Sequence, residues 1–183
     1  MTEPRLLCLC GSLRKGSLNR KLMTVAAARF DGSFEEGDLR LPLYDGDLQE
    51  AQGLPEGVAR LAAQISAADA LLIACPEYNK APPGLLKNAL DWVSRAEGQV
   101  LEGKPVALVS ATAGRAGGER TQSILRWMLQ PLRAEVLTHP EVLVGPAADA
   151  FDASGALVSE RFQKAVDALM ARLTAAAREK QAR

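Results

Sequence analysis

The residues best suited to chemistry lie close together near the start of the chain, in the stretch GSLRKGSLN at positions 11–19. Ser12, Ser17 and Asn19 carry hydrogen-bonding side chains, and the guanidinium of Arg14 can hold phosphate oxygens through paired hydrogen bonds. An apolar run precedes the stretch and an alanine-rich run follows it, which predicts a turn from a buried strand into a helix. Because the first N–H groups of a helix lack partners and its dipole favours anions, this turn is a candidate phosphate site.

Two familiar kinds of phosphate loop do not fit this stretch. Gly11 and Gly16 are spaced as in a Walker A loop, but Ser17 and Leu18 occupy the positions of its Lys and Ser/Thr. A triphosphate bound with magnesium is therefore not expected. The dinucleotide pattern G-x-G-x-x-G also fails, because Leu13 stands in place of its second glycine. Two interpretations remain: a site for one terminal phosphate, or an ordinary turn with a capped helix and solvated basic side chains.

The elements that must position this turn alternate between strand and helix along the whole chain. Hydrophobic spacing predicts strands at 5–10, 33–38, 70–75, 104–111 and 134–139, with 141–145 as a short extension. It predicts helices at 17–30, 55–68, 84–96, 120–132 and 159–177, the first capped by Ser17 or Asn19. This order indicates an α/β fold of the flavodoxin-like class, a five-stranded parallel sheet with helices on both faces. We expect residues 1–183 to form one domain.

Three loops rich in Gly, Pro, Ser or Asn follow predicted strands, at 11–19, 76–84 and 111–119. In an open parallel sheet, ligands bind beyond the carboxyl ends of the strands, where the strand order reverses. We therefore expect the three loops to converge in space and to form one site.

Composition excludes several partners. The 183 residues are 48% apolar and 24% charged, with a net charge of zero and a pI near 6.6. A nucleic-acid binder would show a basic excess, and a typical flavodoxin-type carrier would be strongly acidic. No apolar run approaches the roughly 20 residues of a membrane span, and the first residues do not resemble a signal peptide. We expect a cytoplasmic protein without a membrane partner.

The cysteines do not predict a disulfide framework or a metal site. Cys8, Cys10 and Cys75 lie in or at the end of apolar runs, and their odd number argues against pairing. His139 is the single histidine, and no C-x-x-C motif is present, so a structural zinc site is not expected. We interpret the cysteines as small buried hydrophobic residues.

Two motifs together, GSLRKGSLN and PEYNKAPPGLLKNALDWVSR, resemble the NADPH-dependent FMN reductase family, which includes quinone, azo and chromate reductases. The resemblance extends from position 6 to about position 146. The family binds FMN non-covalently on a five-stranded flavodoxin-like sandwich. Relatives often carry a serine two residues after the P-E-Y-N stretch and frequently an aromatic residue just before that serine, whereas this chain has Lys80 and Ala81 there. Its third loop is also poorer in serine than that of many relatives.

The resemblance assigns three groups of residues to the flavin. It places Ser12, Arg14, Ser17 and Asn19 at the ribityl phosphate. It places Pro76, Glu77, Tyr78 and Asn79 beside the isoalloxazine ring. The loop after the fourth strand flanks the ring from another side, at Ser110, Thr112 and Gly114. From the residues alone, Glu77 and Asn79 could instead serve a turn with helix-entry hydrogen bonds.

The implied activity is that of an NAD(P)H oxidoreductase. A reduced nicotinamide, NADPH or NADH, would pass hydride to flavin N5, and a small-molecule acceptor would then take electrons from the same face, in ping-pong order. The chemistry belongs to FMN, so no catalytic side chain and no metal are expected. The alternatives are an FMN electron carrier or redox sensor, and a flavin-free nucleotide-binding or hydrolytic protein of similar fold.

The resemblance also implies a homodimer or homotetramer. We expect the helix at 84–96, with Trp92, to be a candidate interface, and both Trp92 and Trp127 to lie in the core or at a subunit contact. Asp91 and Arg95 are four residues apart, which predicts an ion pair on this helix.

Overall fold

The computed structural model describes residues 2–182, which form alternating strands and helices. The strands are β1 (Arg5–Cys10), β2 (Ser33–Gly37), β3 (Ala70–Ala74), β4 (Pro105–Ala111), β5 (Glu135–Val136) and β6 (Val142–Val144). The helices are α1 (Leu18–Ala27), α2 (Gly46–Gln52), α3 (Glu56–Ala67), α4 (Gly84–Val93), α5 (Glu119–Leu129) and α6 (Glu160–Gln181), and a 3-10 turn at Gln130–Leu132 follows α5.

All strand pairs in the sheet are parallel, and the order is β2-β1-β3-β4-β5. β6 also pairs with β4, farther along it, so the fifth position of the sheet is filled by two short segments. The strand order reverses between β1 and β3, which places a crevice at their carboxyl ends. The flavodoxin-like fold class predicted from the sequence is confirmed.

Each central strand is buried on both faces, which explains the continuous apolar runs in the sequence. Leu6, Cys8 and Cys10 belong to the core beneath α1 and α6, whereas Leu7 and Leu9 belong to the core beneath α3, α4 and α5. This division follows from the alternation of side chains along a strand. The sheet is therefore held firmly on both sides, and its loop ends are free to form a site.

The structure corrects three predicted elements. α2 was not predicted, although its cap is ordinary: the carboxylate of Asp45 accepts from the N–H of Asp47 at 2.9 Å. The fifth strand is much shorter than 134–139, because the chain leaves β4 after the N–H of Leu137 donates to the carbonyl of Val106 at 2.9 Å. The last helix continues beyond position 177, to Gln181.

α4 differs from its predicted role in two ways, which concern Trp92 and the ion pair of Asp91. Trp92 is fully buried, donates to the carbonyl of Pro42 at 2.8 Å and packs edge-on against Tyr44. It therefore belongs to the core and is not available to a partner. Arg95 lies over the Tyr44 ring at 5.2 Å, and Asp91 pairs with Lys87 at 2.6 Å instead of with Arg95. The predicted Asp91–Arg95 pair is wrong.

The cysteines behave as predicted. Cys8, Cys10 and Cys75 are free and buried, and burial raises the pKa of Cys8 and of Cys75 to about 12. Burial also raises the pKa of Cys10. These thiols are therefore protonated and unreactive at neutral pH. Between residues 2 and 182, none of the helices is both long and apolar enough to cross a membrane.

Candidate functional site

The first loop, residues 11–17, leaves β1 beside the start of the second loop. The N–H of Gly11 donates to the carbonyl of Ala74 at 2.8 Å, which continues the β1–β3 ladder into the loop. A Cβ built at Gly11 would lie 2.6 Å from Leu86 Cδ1 and 3.0 Å from Pro76 Cδ. Only glycine allows the first loop to approach the second loop and α4 so closely.

Ser17 caps α1, as the sequence predicts. Its hydroxyl accepts from the N–H of Arg20 at 3.2 Å, and its backbone is extended where a helix cap requires it. The Ser12 hydroxyl accepts from the N–H of Arg14 at 3.4 Å. Both serines are buried beneath the loop, whereas the Arg14 side chain is exposed.

The first loop and the start of α1 leave many backbone donors without an acceptor. Among the described residues, no hydrogen bond is made by the N–H groups of Ser12, Leu13, Lys15, Gly16, Leu18 and Asn19. These donors lie at the positive end of the α1 dipole, beside an exposed arginine. Such a donor set suits a phosphate, and it passes the test for the FMN phosphate that the sequence assigned to this loop.

Both the nitrogen and the oxygen of the Asn19 side-chain amide form hydrogen bonds with β4. Its Nδ2 donates to the carbonyl of Ala111 at 2.8 Å, and its Oδ1 accepts from the N–H of Ala111 at 3.0 Å. The side chain therefore ties the start of α1 to the end of β4 and leaves one amide N–H for any other partner. These bonds hold the side chain against the neighbouring strand, and its contact with a phosphate stays a prediction.

The second loop carries a tight turn at its tip. Tyr78 and Ala81 exchange two backbone hydrogen bonds, of 3.0 and 3.1 Å, across Asn79 and Lys80. Asn79 and Lys80 both have positive φ, 51° and 65°, as a type I′ turn requires. Asn tolerates this conformation better than most residues, which gives Asn79 a structural reason to be present. The turn leaves Tyr78 and Lys80 exposed at the rim.

Glu77 points toward the start of α5. Its carboxylate accepts from the N–H of Thr121 at 3.4 Å and lies 3.9 Å from the Arg120 guanidinium. The Thr121 hydroxyl donates to the carbonyl of Pro76 at 3.2 Å and lies 3.1 Å from the Cys75 thiol. The first turn of α5 thus fixes the second loop from behind, as the alternative of helix-entry hydrogen bonding anticipates.

The third loop, residues 112–118, is supported from inside the protein. Ser110 is fully buried, and its hydroxyl donates to the carbonyl of Gly117 at 2.6 Å. The side-chain amide of Gln122 donates to Ser110 Oγ at 2.9 Å and to the carbonyl of Val142 at 3.0 Å. Ser110 therefore holds the loop from below and does not line the cavity, and its assignment to the flavin stays a prediction.

The remaining predicted residues of the third loop lie near its surface. The Thr112 hydroxyl donates to the carbonyl of Gly114 at 3.2 Å, and Gly114 is exposed. A Cβ at Gly118, where φ is 94°, would lie 2.7 Å from Ser110 Oγ. Glycine is required there, because the loop backbone sits directly on the buried serine.

The loops enclose a cavity of about 450 Å³ at the carboxyl edge of the sheet. It is lined by residues from the first loop, the second loop and α4, namely Gly11, Leu13, Arg14, Tyr78, Pro83, Gly84 and Leu85. Asn19 contacts Ala111 directly before the third loop, and Thr121 directly after that loop contacts Glu77. The first two loops therefore meet at one cavity, whereas the third loop lies at the same edge of the sheet without lining it.

Sequence reasoning assigned no role to Thr121 and Gln122, which hold the second and third loops. Both are fully buried, and with Leu125 and Leu129 they form the inward face of α5. Polar residues at an apolar helical spacing, directly after a Gly-rich loop, are the signal that could have identified them.

Comparisons with known proteins agree with this geometry. The sequence profile of the family described as NADPH-dependent FMN reductase matches residues 4–149. The chain is 42% identical over 165 residues to an NAD(P)H-dependent FMN reductase of Pseudomonas aeruginosa, with 88% of this chain and 89% of the relative covered. It is 41% identical over 175 residues to a quinone reductase of Escherichia coli K12, with coverages of 93% and 92%.

Solved structures point the same way. The flavoenzyme FerB of Paracoccus denitrificans, an NAD(P)H:(acceptor) oxidoreductase, superimposes with a TM-score of 0.87 and 32% identity. The superposition covers 97% of this chain and 98% of FerB.

Proposed function

Because the chain belongs to the NADPH-dependent FMN reductase family, we propose that it binds FMN in the crevice and reduces a small acceptor with electrons from NADPH or NADH. The observation that carries this proposal is the cluster of unpaired backbone donors between β1 and the start of α1, beside Leu13 and Arg14, which line the cavity. It offers a phosphate both hydrogen bonds and positive charge. FMN and a reduced nicotinamide are the cofactor and co-substrate of this family.

The first loop is proposed to hold the FMN phosphate. The backbone N–H groups, Ser12 and the Ser17 cap form the cradle, and Arg14 closes it from the solvent side. Asn19 fixes the cradle to β4 and has one amide N–H left for the phosphate.

The second and third loops are proposed to hold the flavin ring. Residues Pro76, Glu77, Tyr78 and Asn79 lie on the second loop at the same edge, and Thr112 and Gly114 lie on the third. The ring requires rigid neighbours, and the Tyr78–Ala81 turn and the buried Ser110 supply them. Bound FMN would supply hydride acceptance and return, while the loops place it and limit access.

Ping-pong order is part of this proposal. The cavity is lined by Gly11 and the start of α4 and is open to solvent, so NAD(P)H and the acceptor would reach the flavin from the solvent side in turn. Several relatives are named quinone reductases, which favours a quinone as acceptor over the azo, chromate or flavin acceptors that the family also includes.

A cytoplasmic location stays a prediction from composition.

Homodimer or homotetramer formation is also proposed. Trp127 on α5 is 80% exposed and Ile124, three residues before it, is 39% exposed. Two large apolar side chains exposed one helical turn apart suit a contact with a second copy. Light scattering of the wild type and of Trp127→Ala would test this assignment. We expect the variant to have the lower mass, and a wild type with the mass of a monomer would contradict the proposal.

Anaerobic reduction tests the proposed activity. The apoprotein is titrated with FMN, then with NADPH and separately with NADH, and finally with 1,4-benzoquinone. We expect FMN uptake, bleaching of the flavin absorbance by at least one nicotinamide, and return of the absorbance with the quinone. A protein that takes up no FMN contradicts the proposal, and FMN binding without bleaching would identify an electron carrier or redox sensor instead.

A further inference from the structure

Gln122 is a buried polar residue that the proposed chemistry does not use. It lies in the first turns of α5, and none of its surface is exposed. Its amide nitrogen donates to Ser110 Oγ at 2.9 Å and to the carbonyl of Val142 at 3.0 Å. Both N–H groups of the amide are therefore used, and each one reaches a different part of the wall behind the third loop.

The first arm of Gln122 runs through Ser110 to the loop backbone. Ser110 Oγ accepts from Gln122 and donates to the carbonyl of Gly117 at 2.6 Å. A hydroxyl has one proton, and the N–H of Gln122 occupies one of the acceptor positions of Ser110 Oγ. The hydroxyl proton is therefore directed away from Gln122 and toward the carbonyl of Gly117. The peptide between Gly117 and Gly118 is held in place, although both glycines have positive φ.

The second arm runs through β6. Val142 begins this short strand, which pairs with β4 and leads to Gly145. A Cβ at Gly145 would lie 2.3 Å from the carbonyl oxygen of Gly114 and 2.8 Å from the nitrogen of Gly117. Fixing β6 therefore fixes the surface on which Gly114 and Gly117 rest.

The oxygen of the Gln122 amide indicates that this residue positions the third loop more than it stabilises the fold. Its Oε1 is buried and has no hydrogen-bond partner among residues 2–182. A buried oxygen without a partner destabilises the fold, and an apolar side chain of the same length would avoid that cost. The benefit of glutamine at this place is the pair of N–H donors aimed at the third loop.

We infer that Gln122 is a positioning residue for the flavin site: its two buried N–H bonds, to Ser110 and to β6, set the conformation of the third loop. This inference rests on the proposed placement of the third loop beside the flavin ring. Gln122 is fully buried and does not line the cavity. It acts on the site only through the backbone that it holds.

The test compares Gln122→Met with the matched control Gln64→Met. Methionine keeps the length of glutamine and removes both donors and the unpaired oxygen together. Gln64 lies on α3, and its amide donates only to the exposed Glu35. Hydrogen exchange of the apoprotein should rise at least about tenfold in peptides covering residues 112–118 of Gln122→Met, because opening of the loop becomes easier. The control should exchange like the wild type.

FMN binding supplies a readout that a purely structural role would not move. In Gln122→Met we expect the FMN dissociation constant to rise by about tenfold and the visible spectrum of the bound flavin to shift. The melting temperature of the apoprotein should fall by no more than about 2–4 °C, because removal of the unpaired oxygen offsets part of the cost of leaving the Val142 carbonyl without this donor. Ser110→Ala should reproduce much of the loop exchange, and adding it to Gln122→Met should have less than an additive effect.

Two outcomes would overturn the inference. One is wild-type exchange at 112–118 in apo Gln122→Met, and the other is a general loss of protection across the sheet with an unchanged flavin spectrum. Failure of the wild type to bind FMN would instead contradict the proposed function. The exchange measurement on the apoprotein would still decide the role of Gln122.

Discussion

The first and third loops lie at the same edge of the sheet and use their polar groups in opposite ways. The first loop leaves backbone N–H groups and the Arg14 side chain open to the crevice. The third loop turns inward, where Ser110 and Gln122 hold the carbonyl of Gly117 and the strand that supports it. The difference teaches how to separate ligand contact from support: open donors await a ligand, whereas satisfied buried ones fix a wall.

Asn19 ties the start of α1, directly after the first loop, to Ala111, directly before the third loop, so its removal should have the largest effect. Asn19→Ala leaves both the N–H and the carbonyl of Ala111 without their partner in a buried position. We expect a loss of roughly 2–4 kcal/mol in unfolding free energy. Thermal unfolding should shift downward by about 4–16 °C, and FMN affinity should fall with it.

Asn88→Ala is the matched control for Asn19. Asn88 also spends its amide on backbone groups, the N–H of Tyr44 and the carbonyl of Pro42, but away from the crevice. This variant should lose stability and keep its FMN affinity. Equal losses of FMN affinity in the two variants would show that Asn19 has no special link to the site.

Arg14 tests the open half of the comparison. Arg14→Ala removes a charge-assisted contact worth about 1.5–3 kcal/mol and should raise the FMN dissociation constant by about 10- to 150-fold. Because the side chain is exposed, the melting temperature of the apoprotein should not change. Fluorescence titration of FMN measures the affinity, and Arg60→Ala on α3 removes the same charge far from the loop. Unchanged FMN affinity in Arg14→Ala would contradict the phosphate assignment.

Two glycines, one from the third loop and one from the first, test how tightly the backbone of each loop is packed. Gly118 has a φ of 94°, and an added Cβ would lie 2.7 Å from Ser110 Oγ, so Gly118→Ala should cost roughly 1–3 kcal/mol. An added Cβ at Gly16 meets nothing within 4 Å, so Gly16→Ala should stay within about 0.5 kcal/mol of the wild type. Urea unfolding of both apoproteins gives the two values. Similar losses would mean that the first loop is packed as tightly as the third.

The sequence predicted the first loop better than the third for a physical reason. Ser17 acts on its own helix, and the donors of the first loop are local, so short-range spacing contains that information. The support of the third loop comes from Gln122 and from β6, which are distant in sequence from Ser110. Local patterns identified Ser110 as polar and placed it at the end of a strand, but its inward direction depends on those distant partners. The same reason explains why the sequence could not decide between the core and a subunit contact for Trp92, since its partner Pro42 lies on a remote loop.

Lys80 gives the smallest expected effect and extends the comparison to the second loop. It occupies the second central position of a type I′ turn at a φ of 65°, where glycine is favoured. Lys80→Gly relieves that conformation but adds backbone entropy to the unfolded chain, so we expect a net gain of about 0.5–1 kcal/mol. The melting temperature should rise by about 1–4 °C. Because no hydrogen bond or ion pair holds the Lys80 side chain among residues 2–182, nothing in the fold offsets this gain. A less stable variant would show that the lysine itself stabilises the turn. A more stable variant whose bound FMN is reduced more slowly by NADPH would place the Lys80 side chain with the ligand-facing groups of the first loop.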